Sequence, residues 1–327
     1  MDNITDVVVN GQTYGSVAKR LMANGFNIKA FRTLDTLRKD EWKHYDTAVI
    51  NEVRSRLVGI ADLIQMGLVY NIPNGLGKTV LEYEDMSDVQ GAHVDMDAAT
   101  RGQNDRPEFE IRYLPLPITH ADFQINARQL AASRTTGTPL DTTIAELKAR
   151  KVAEKLEEML FTDVTYAFGG GTIYSYLNHP NKNTVTLGSN WDESAASGAT
   201  ILSDVINMKQ ALINDGFYGP YMIYIPTNFE TSIDDDFKAA SDKGIRQRIK
   251  EVSGIIDVKV VDKLTSDKVV MVQMTSDVVR LVNGLPVTNV EWSAEGGMIY
   301  HFKVMTIQVP QIRKAQSGKC GIVLGSE

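Results

Sequence analysis

Residues 138–161 read TPLDTTIAELKARKVAEKLEEMLF, and their spacing predicts one long helix. Thr138 suits the cap and Pro139 the first helical position. Thr143 with Glu146 repeats the capping-box spacing one turn later. Ile144, Leu147, Val152, Leu156, Met159 and Leu160 form an apolar stripe. Glu146, Lys148, Arg150, Lys151, Glu154, Lys155, Glu157 and Glu158 cover the other side, several at helix-pairing distances. At ~1.5 Å per residue the helix runs roughly 30 Å, about the width of a small domain. It is a beam, with a long polar excursion before it and a region of helices and strands after it.

The 327 residues are 43% hydrophobic, enough for a sizeable core divided into two lobes with appendages. The 41 acidic and 34 basic side chains give a formal charge of -7. That balance argues against an electrostatic nucleic-acid binder, which carries a basic patch or stripe. It leaves room for a protein that encloses nucleic acid without gripping it. The single cysteine, Cys320, permits no internal disulfide and reads as a buried, inert thiol. The opening MDNITDVVVNGQ lacks the basic-then-apolar pattern of a signal peptide, and no apolar run approaches the ~20 residues of a membrane helix. A soluble, cytoplasmic product is the expectation.

Residues 1–36 carry too few apolar side chains for a core of their own and read as an arm that either docks elsewhere or stays a frayed terminus, with a short helix near Val17 to Met22. Residues 37–66 are helical. Trp42, Tyr45, Val49, Val53, Leu57, Ile60 and Ile64 recur at steps of three and four, Asp35 or Thr36 caps the start, Gly59 can divide the segment, and Gly67 ends it. The period then changes to two. VLEYEDM (80–86) and EFEIRY (108–113) alternate, with Leu81 and Tyr83, then Phe109, Ile111 and Tyr113, on the apolar face and charges opposite. Between them lies a very polar segment. A long two-stranded arm is simpler than a plain loop of that length. A lone hairpin is marginal in water, and this chain shows no spare core to receive one, so a neighbouring copy is the expected support.

After the beam come a glycine-rich turn at 169–171 and TIYSYLNHPN. A helix is predicted over 198–214, with Ile201, Leu202, Val205, Met208 and Leu212 or Ile213 inward and Gly216 past its end. A buried strand follows at 221–225, then short helices over 228–238 and 245–251. Strands are predicted at 255–261, 269–274, 278–282, 287–292 and 298–309. In the last, Tyr300, Phe302 and Val304 oppose His301 and Lys303. No element is predicted beyond Val309.

No motif carries chemistry. Asn74-Gly75-Leu76-Gly77-Lys78-Thr79 ends like a phosphate loop, but the required earlier glycine is Ile72 and a strand follows instead of a helix, so it reads as a turn. His44, His93, His120, His179 and His301 lack metal-ligand spacing, and none pairs with Cys320. His179 reads as a turn residue. Asp234-Asp235-Asp236 reads as an acidic helix cap before Phe237, in preference to a cation site. Gly169-Gly170-Gly171 lacks dinucleotide spacing, there is no GxSxG elbow, and the aromatics are not interleaved with basic residues.

The order of parts resembles the major capsid protein fold of tailed bacteriophages, shared with encapsulin shell proteins. LRKDEWKHYDTAVINEVRSRLVGIADLI is similar to the helix before the family's extended loop. RPEFEIRYLPLPITHADFQI resembles the loop's returning strand, and residues 138–161 resemble the spine helix. SYLNHPN resembles the turn after the spine, and DVVRLVNGLPVTNVEWSAEGGMIYHFKVMTIQV the closing strands. The likeness runs from about residue 34 onward.

The resemblance implies an α+β fold with an N-terminal arm (1–36), a helical segment (37–66) and an extended loop (67–129). It places spine and peripheral domain at 130–197, an axial domain at 198–292 and peripheral C-terminal strands at 293–327. It implies a structural, self-assembling shell protein, not an enzyme, with no catalytic, cofactor-binding or metal residues and no cofactor. The implied partners are further copies of the chain in hexamers and pentamers, a portal, scaffold or decoration proteins, and double-stranded DNA enclosed in an icosahedral virion without sequence-specific binding. No membrane is involved, and assembly takes place in the host bacterial cytoplasm. The long segment before the first main helix favours a phage capsid over the alternative, an encapsulin nanocompartment holding a cargo enzyme. A reading from another class, a cytoplasmic α+β enzyme with a scattered active site, predicts a small oligomer and a deep polar pocket.

Overall fold

The computed structural model describes residues 7–9, 12–14, 58–86, 94, 96, 108–129, 143–193, 196–238, 243–294 and 298–327. The predicted caps Asp35, Thr36, Thr138 and Pro139, the helix near Val17, the helical stripe from Trp42 to Leu57, and the hairpin tip apart from two residues lie outside them. In chain order the elements are β1 (Val7–Val9), β2 (Gln12–Tyr14), α1 (Gly59–Gln65), β3 (Val69–Asn71), β4 (Val80–Met86), β5 (Phe109–Pro115), β6 (Thr119–Asn126) and α2 (Thr143–Phe161). There follow β7 (Tyr166–Phe168), β8 (Gly171–Ile173), β9 (Asn183–Thr186), α3 (Gly198–Asn214), β10 (Tyr221–Ile225), α4 (Glu230–Ile233), α5 (Ile245–Lys250) and β11 (Ile255–Val260). The chain closes with β12 (Lys268–Gln273), β13 (Val279–Ala294), β14 (Ile299–Ile312) and β15 (Ile322–Ser326). Two compact units emerge: residues 1–52, 121–149 and 289–304 form one, and 53–120, 150–288 and 305–327 the other.

In the first unit, β1 and β2 pair antiparallel, Val9 opposite Gln12. The intervening Asn10-Gly11 is a strong two-residue hairpin signal that the arm reading passed over. Phe123 of β6 stacks on Phe302 at 4.9 Å. Tyr300, Phe302 and Val304 are buried while His301 and Lys303 are not, matching the predicted alternation. His301 lies flat on Trp292, and Lys303 reaches both that indole and Asp122.

The second unit holds a mixed sheet in the order β11-β10-β12-β15-β9. Its centre is YMIYI, buried at all five positions, which suits a strand covered on both faces. Helix α3 packs on β15 and β9, and α5 on β11. Ser197 caps α3 by accepting the Thr200 amide at 3.2 Å. Ile201, Val205, Met208 and Leu212 are buried, whereas Leu202 and Ile213 are half-buried. Gly67 after α1 and Gly216 after α3 both take positive φ, +71° and +85°. At each, the glycine amide bonds three residues back and the next amide five back (Gly67 to Ile64, Leu68 to Leu63; Gly216 to Ile213, Phe217 to Leu212). This is the Schellman stop that a glycine after an apolar period predicts.

Several expectations need correction. The predicted strands at 278–282 and 287–292 are one strand, β13. Within it, a Cβ on Gly75 would lie 2.3 Å from the Gly284 carbonyl oxygen, so the two glycines let the backbones approach closely. The unforeseen β15 pairs β12 antiparallel and β9 parallel. The helix predicted over 228–238 shrinks to a 3-10 turn and α4. Asp234 to Asp236 follow that helix instead of capping one. Asp234 grips Arg246 at 2.6 and 3.3 Å, and the Asp235 carbonyl accepts the Ile245 amide.

In α2 the buried residues are Ala145, Ala149, Val152, Ala153, Leu156, Glu157, Leu160 and Phe161. Ile144 and Leu147, placed in the stripe by size, are 45% and 50% exposed. They fall in line with Lys151, on the face where Lys151–Glu154 and Lys155–Glu158 pair. The true stripe runs through alanines, whose small side chains let neighbours come close. Glu157, placed on the polar side, is buried.

The β7–β8 hairpin turns on Gly169 and Gly170, both at positive φ, as a two-residue primed turn requires. It rests against β5, where a Cβ on Gly171 would stand 2.1 Å from the Tyr113 carbonyl oxygen.

Two outcomes are expected. Asp204 is buried and accepts Gly188 N at 3.1 Å and Trp191 Nε1 at 3.1 Å. Asp204→Ala orphans both donors and lowers stability by about 3 kcal/mol in urea titrations of the dissociated chain. Gly171→Ala forces β8 off β5 at a cost of about 1–3 kcal/mol, read as a lower melting temperature and faster amide exchange across 109–115.

Candidate functional site

Strands β4 and β5 form the predicted antiparallel hairpin, with Val80 opposite Pro115, Tyr83 opposite Arg112 and Met86 opposite Phe109. Directly opposed residues share a face. One face therefore carries Leu81, Tyr83 and Asp85 with Leu114, Arg112 and Glu110. The other carries Glu82, Glu84 and Met86 with Tyr113, Ile111 and Phe109. The apolar residues of the two strands lie on opposite faces, not on one shared face as their separate alternations suggested.

The first face has a support within its own chain. Leu114 and Leu116 are buried with Ile72, Ile173, Val282, Ile307 and Val309, and Leu81 and Tyr83 pack against that cluster. The expectation that the chain has no core to receive the hairpin is thus corrected for its base. Among the described residues the other face has no such cover: Phe109 is 60%, Ile111 55% and Tyr113 39% exposed. Strand β7, in contact with β5, and the residues before it add exposed Val164, Tyr166 and Phe168. Val94 and Met96, beyond the strands, are fully exposed. These exposed apolar side chains make this face the candidate interaction surface.

A cleft of about 380 Å³ flanks the hairpin's buried face, among Tyr83, Asp85, Glu110, Arg112, His179 and Lys314. Its charges are mutually satisfied. Arg112 reaches Asp85 at 3.5 Å and Glu110 at 2.6 Å, and Lys314 reaches the same two carboxylates at 3.5 and 3.9 Å. His179 sits in the NHPN turn as predicted. Its Nδ1 accepts the Asn181 amide at 3.2 Å and its ring meets Tyr174 edge-on. Burial, with Lys182 nearby, pushes its pKa down to about 4, so it is neutral and committed at neutral pH. The turn closes on itself: Asn178 Oδ1 accepts the Ser175 amide, Ser175 Oγ accepts the amides of Leu177 and Asn178, and Asn181 Nδ2 donates to Gly318 O.

Asn74 to Gly77 form a tight turn, Asn74 at φ +57°, feeding β4 as expected. Cys320 is buried, and burial pushes its thiol up to about 12, which makes it inert. Among the described residues no group of three His, Cys, Asp or Glu side chains could hold a metal, and no helix is long and apolar enough to cross a membrane.

The fold recurs in known shells. A virus-like particle from Pyrococcus furiosus superposes with a TM-score of 0.63 at 18% identity, over 87% of this chain and 98% of that one. The capsid of the myovirus phage XM1 gives 0.59 at 11% identity, over 80% and 90%. The capsid of a GTA particle gives 0.56 at 14%, over 82% and 90%. Among curated proteins, the type 1 encapsulin shell protein EncA of Myxococcus xanthus (strain DK1622) is 24% identical over 237 residues, 71% of each chain. The chain has the α+β capsid fold of these proteins. A family model described as a family of unknown function, DUF6260, matches residues 27–325, and the chain belongs to that family.

Proposed function

We propose that this chain is a structural shell protein whose copies assemble into the pentamers and hexamers of an icosahedral phage capsid that encloses double-stranded DNA. The observation that carries the reading is the two-sided hairpin. One face is fixed in the chain's own core, and the other offers Phe109, Ile111 and Tyr113 to a second body. Identical copies joined head to tail close into rings when the rotation allows. Each such contact buries apolar area worth ~25 cal/mol per Å². Repetition around the ring turns modest contacts into a stable container.

In this reading residues 198–292 form the axial part around the symmetry axes, and the hairpin with α2 belongs to the overlapping periphery. The formal charge of -7 limits adhesion to the enclosed DNA, which must later leave. A portal and scaffold or decoration proteins complete the particle, and assembly takes place in the bacterial cytoplasm.

A second reading, a nanocompartment around a cargo enzyme, is favoured by the 24% identity to the encapsulin shell protein. Electron microscopy of particles purified from cells distinguishes the two: nucleic acid inside supports a capsid, and a co-purifying enzyme with no nucleic acid supports the compartment.

The shell reading has its own test. Phe109→Ser with Ile111→Ser alters two side chains that are more than half exposed, so the isolated chain stays folded and loses about 1 kcal/mol. The same variant is expected to yield rings or free subunits where the parent yields closed shells by negative-stain microscopy. Normal shells from it would overturn the role given to this face.

A further inference from the structure

Where α2 meets the start of α1, a carboxyl group lies inside the second unit. Glu157 is 3% exposed. Its Oε1 accepts the Ile60 amide at 3.3 Å, with the amides of Gly59 and Val58 close by. Its Oε2 is buried with no hydrogen-bond partner among the described residues. The helices touch closely here, since a Cβ on Gly59 would meet Phe161 Cε2 at 2.5 Å.

Each element around the site contributes its polar groups. From α1 comes Asp62, 1% exposed. From β10 comes Tyr224, whose hydroxyl donates to Asp62 Oδ2 at 3.0 Å, and from β11 comes Lys259, whose Nζ binds Asp62 Oδ1. Beyond β8 stands Tyr176, with a buried hydroxyl that has no partner among the described residues. The rings of Tyr176, Tyr224 and Phe161 pack on one another. On α2 itself, Glu154 and Glu158 are engaged by Lys151, Lys155 and Lys263.

The charges do not balance. Among the described residues, two buried carboxyls share one cation, and that cation is bound to Asp62. A second carboxylate in this place would be buried, uncompensated and next to a like charge, so it keeps its proton. We propose that Glu157 is a proton-operated clasp between the long helix and the first turn of α1, closed when its carboxyl is neutral and strained open when it ionises.

Burial, with Asp62 nearby, raises the Glu157 pKa from 4.5 to about 7. The clasp's contribution is therefore whole below the ordinary carboxylate range and is lost as pH rises through about 7. Between the two values its opening constant climbs about tenfold per pH unit and then levels off. The clasp lies within one chain, so its test is separate from that of shell formation.

Hydrogen exchange of peptides covering 58–62 and 153–158, on the whole protein and corrected for intrinsic rates, should show this climb. Glu157→Gln keeps the acceptor for Ile60 and has no proton to lose, so its opening should stay slow and independent of pH. Infrared spectra of the unaltered protein give a readout that needs no variant: a buried protonated-carboxyl stretching band that fades as pH passes about 7. A flat opening constant in the unaltered protein, the unaltered slope in the E157Q chain, or absence of that band at acid pH would each overturn the clasp.

Discussion

The pairing of Tyr83 with Arg112, instead of with Tyr113, is the constraint on which the architecture turns. Side chains alternate along a strand, so a one-residue slip would move every residue of β5 to the other face. In the observed register the hairpin is apolar on both sides, in different rows. Leu81, Tyr83 and Leu114 face inward and Phe109, Ile111 and Tyr113 face outward, beside Glu82 and Glu84. A slipped register would gather the apolar residues into one row, able to be buried whole and leaving nothing to offer. The acidic row also works against misuse of the exposed edge, because charges beside an apolar strand discourage indiscriminate pairing.

The second constraint is close approach. Three positions that cannot carry a side chain, Gly59, Gly75 and Gly171, set backbone against aromatic ring or backbone against backbone. Two of them hold the hairpin's surroundings: Gly75 fixes the turn that feeds β4 onto β13, and Gly171 fixes β8 under β5. Close packing of this kind leaves the joint stiff and makes any polar group caught in it consequential. Glu157 is such a group.

How much of this was legible follows from what each signal measures. Period and punctuation placed α3, β10 and the two hairpin strands within a residue or two, because an amphipathic period closed by Gly216, or an alternating run bounded by turns, depends on local physics. The face each strand buries was not legible, since it depends on the pairing partner, and the two alternations were read separately. Size misleads at Ile144 and Leu147, because the buried row of the helix runs through Ala145, Ala149 and Ala153 instead. Glu157 was hidden for the opposite reason: a lone glutamate among five charged neighbours carries no mark of its surroundings. The join of 278–282 to 287–292 is not legible because a glycine such as Gly284 has the same letter whether the chain turns there or another segment of it crosses. The β1–β2 hairpin is legible in the Asn10-Gly11 pair between the two strands.

The candidate surface follows from the same logic. A row of large apolar side chains on a strand normally indicates burial, so the sequence alone argues that Phe109, Ile111 and Tyr113 are covered. The single chain leaves them in solvent while covering their neighbours Leu114 and Leu116. Both statements hold if the covering body is another molecule. Because β5 carries both the exposed row and Leu114 of the anchored one, load on the outer face passes into the core through β5, which Gly171 holds against β8. A contact mounted in this way needs little further ordering when it forms, since Leu114 already holds β5 in its cluster.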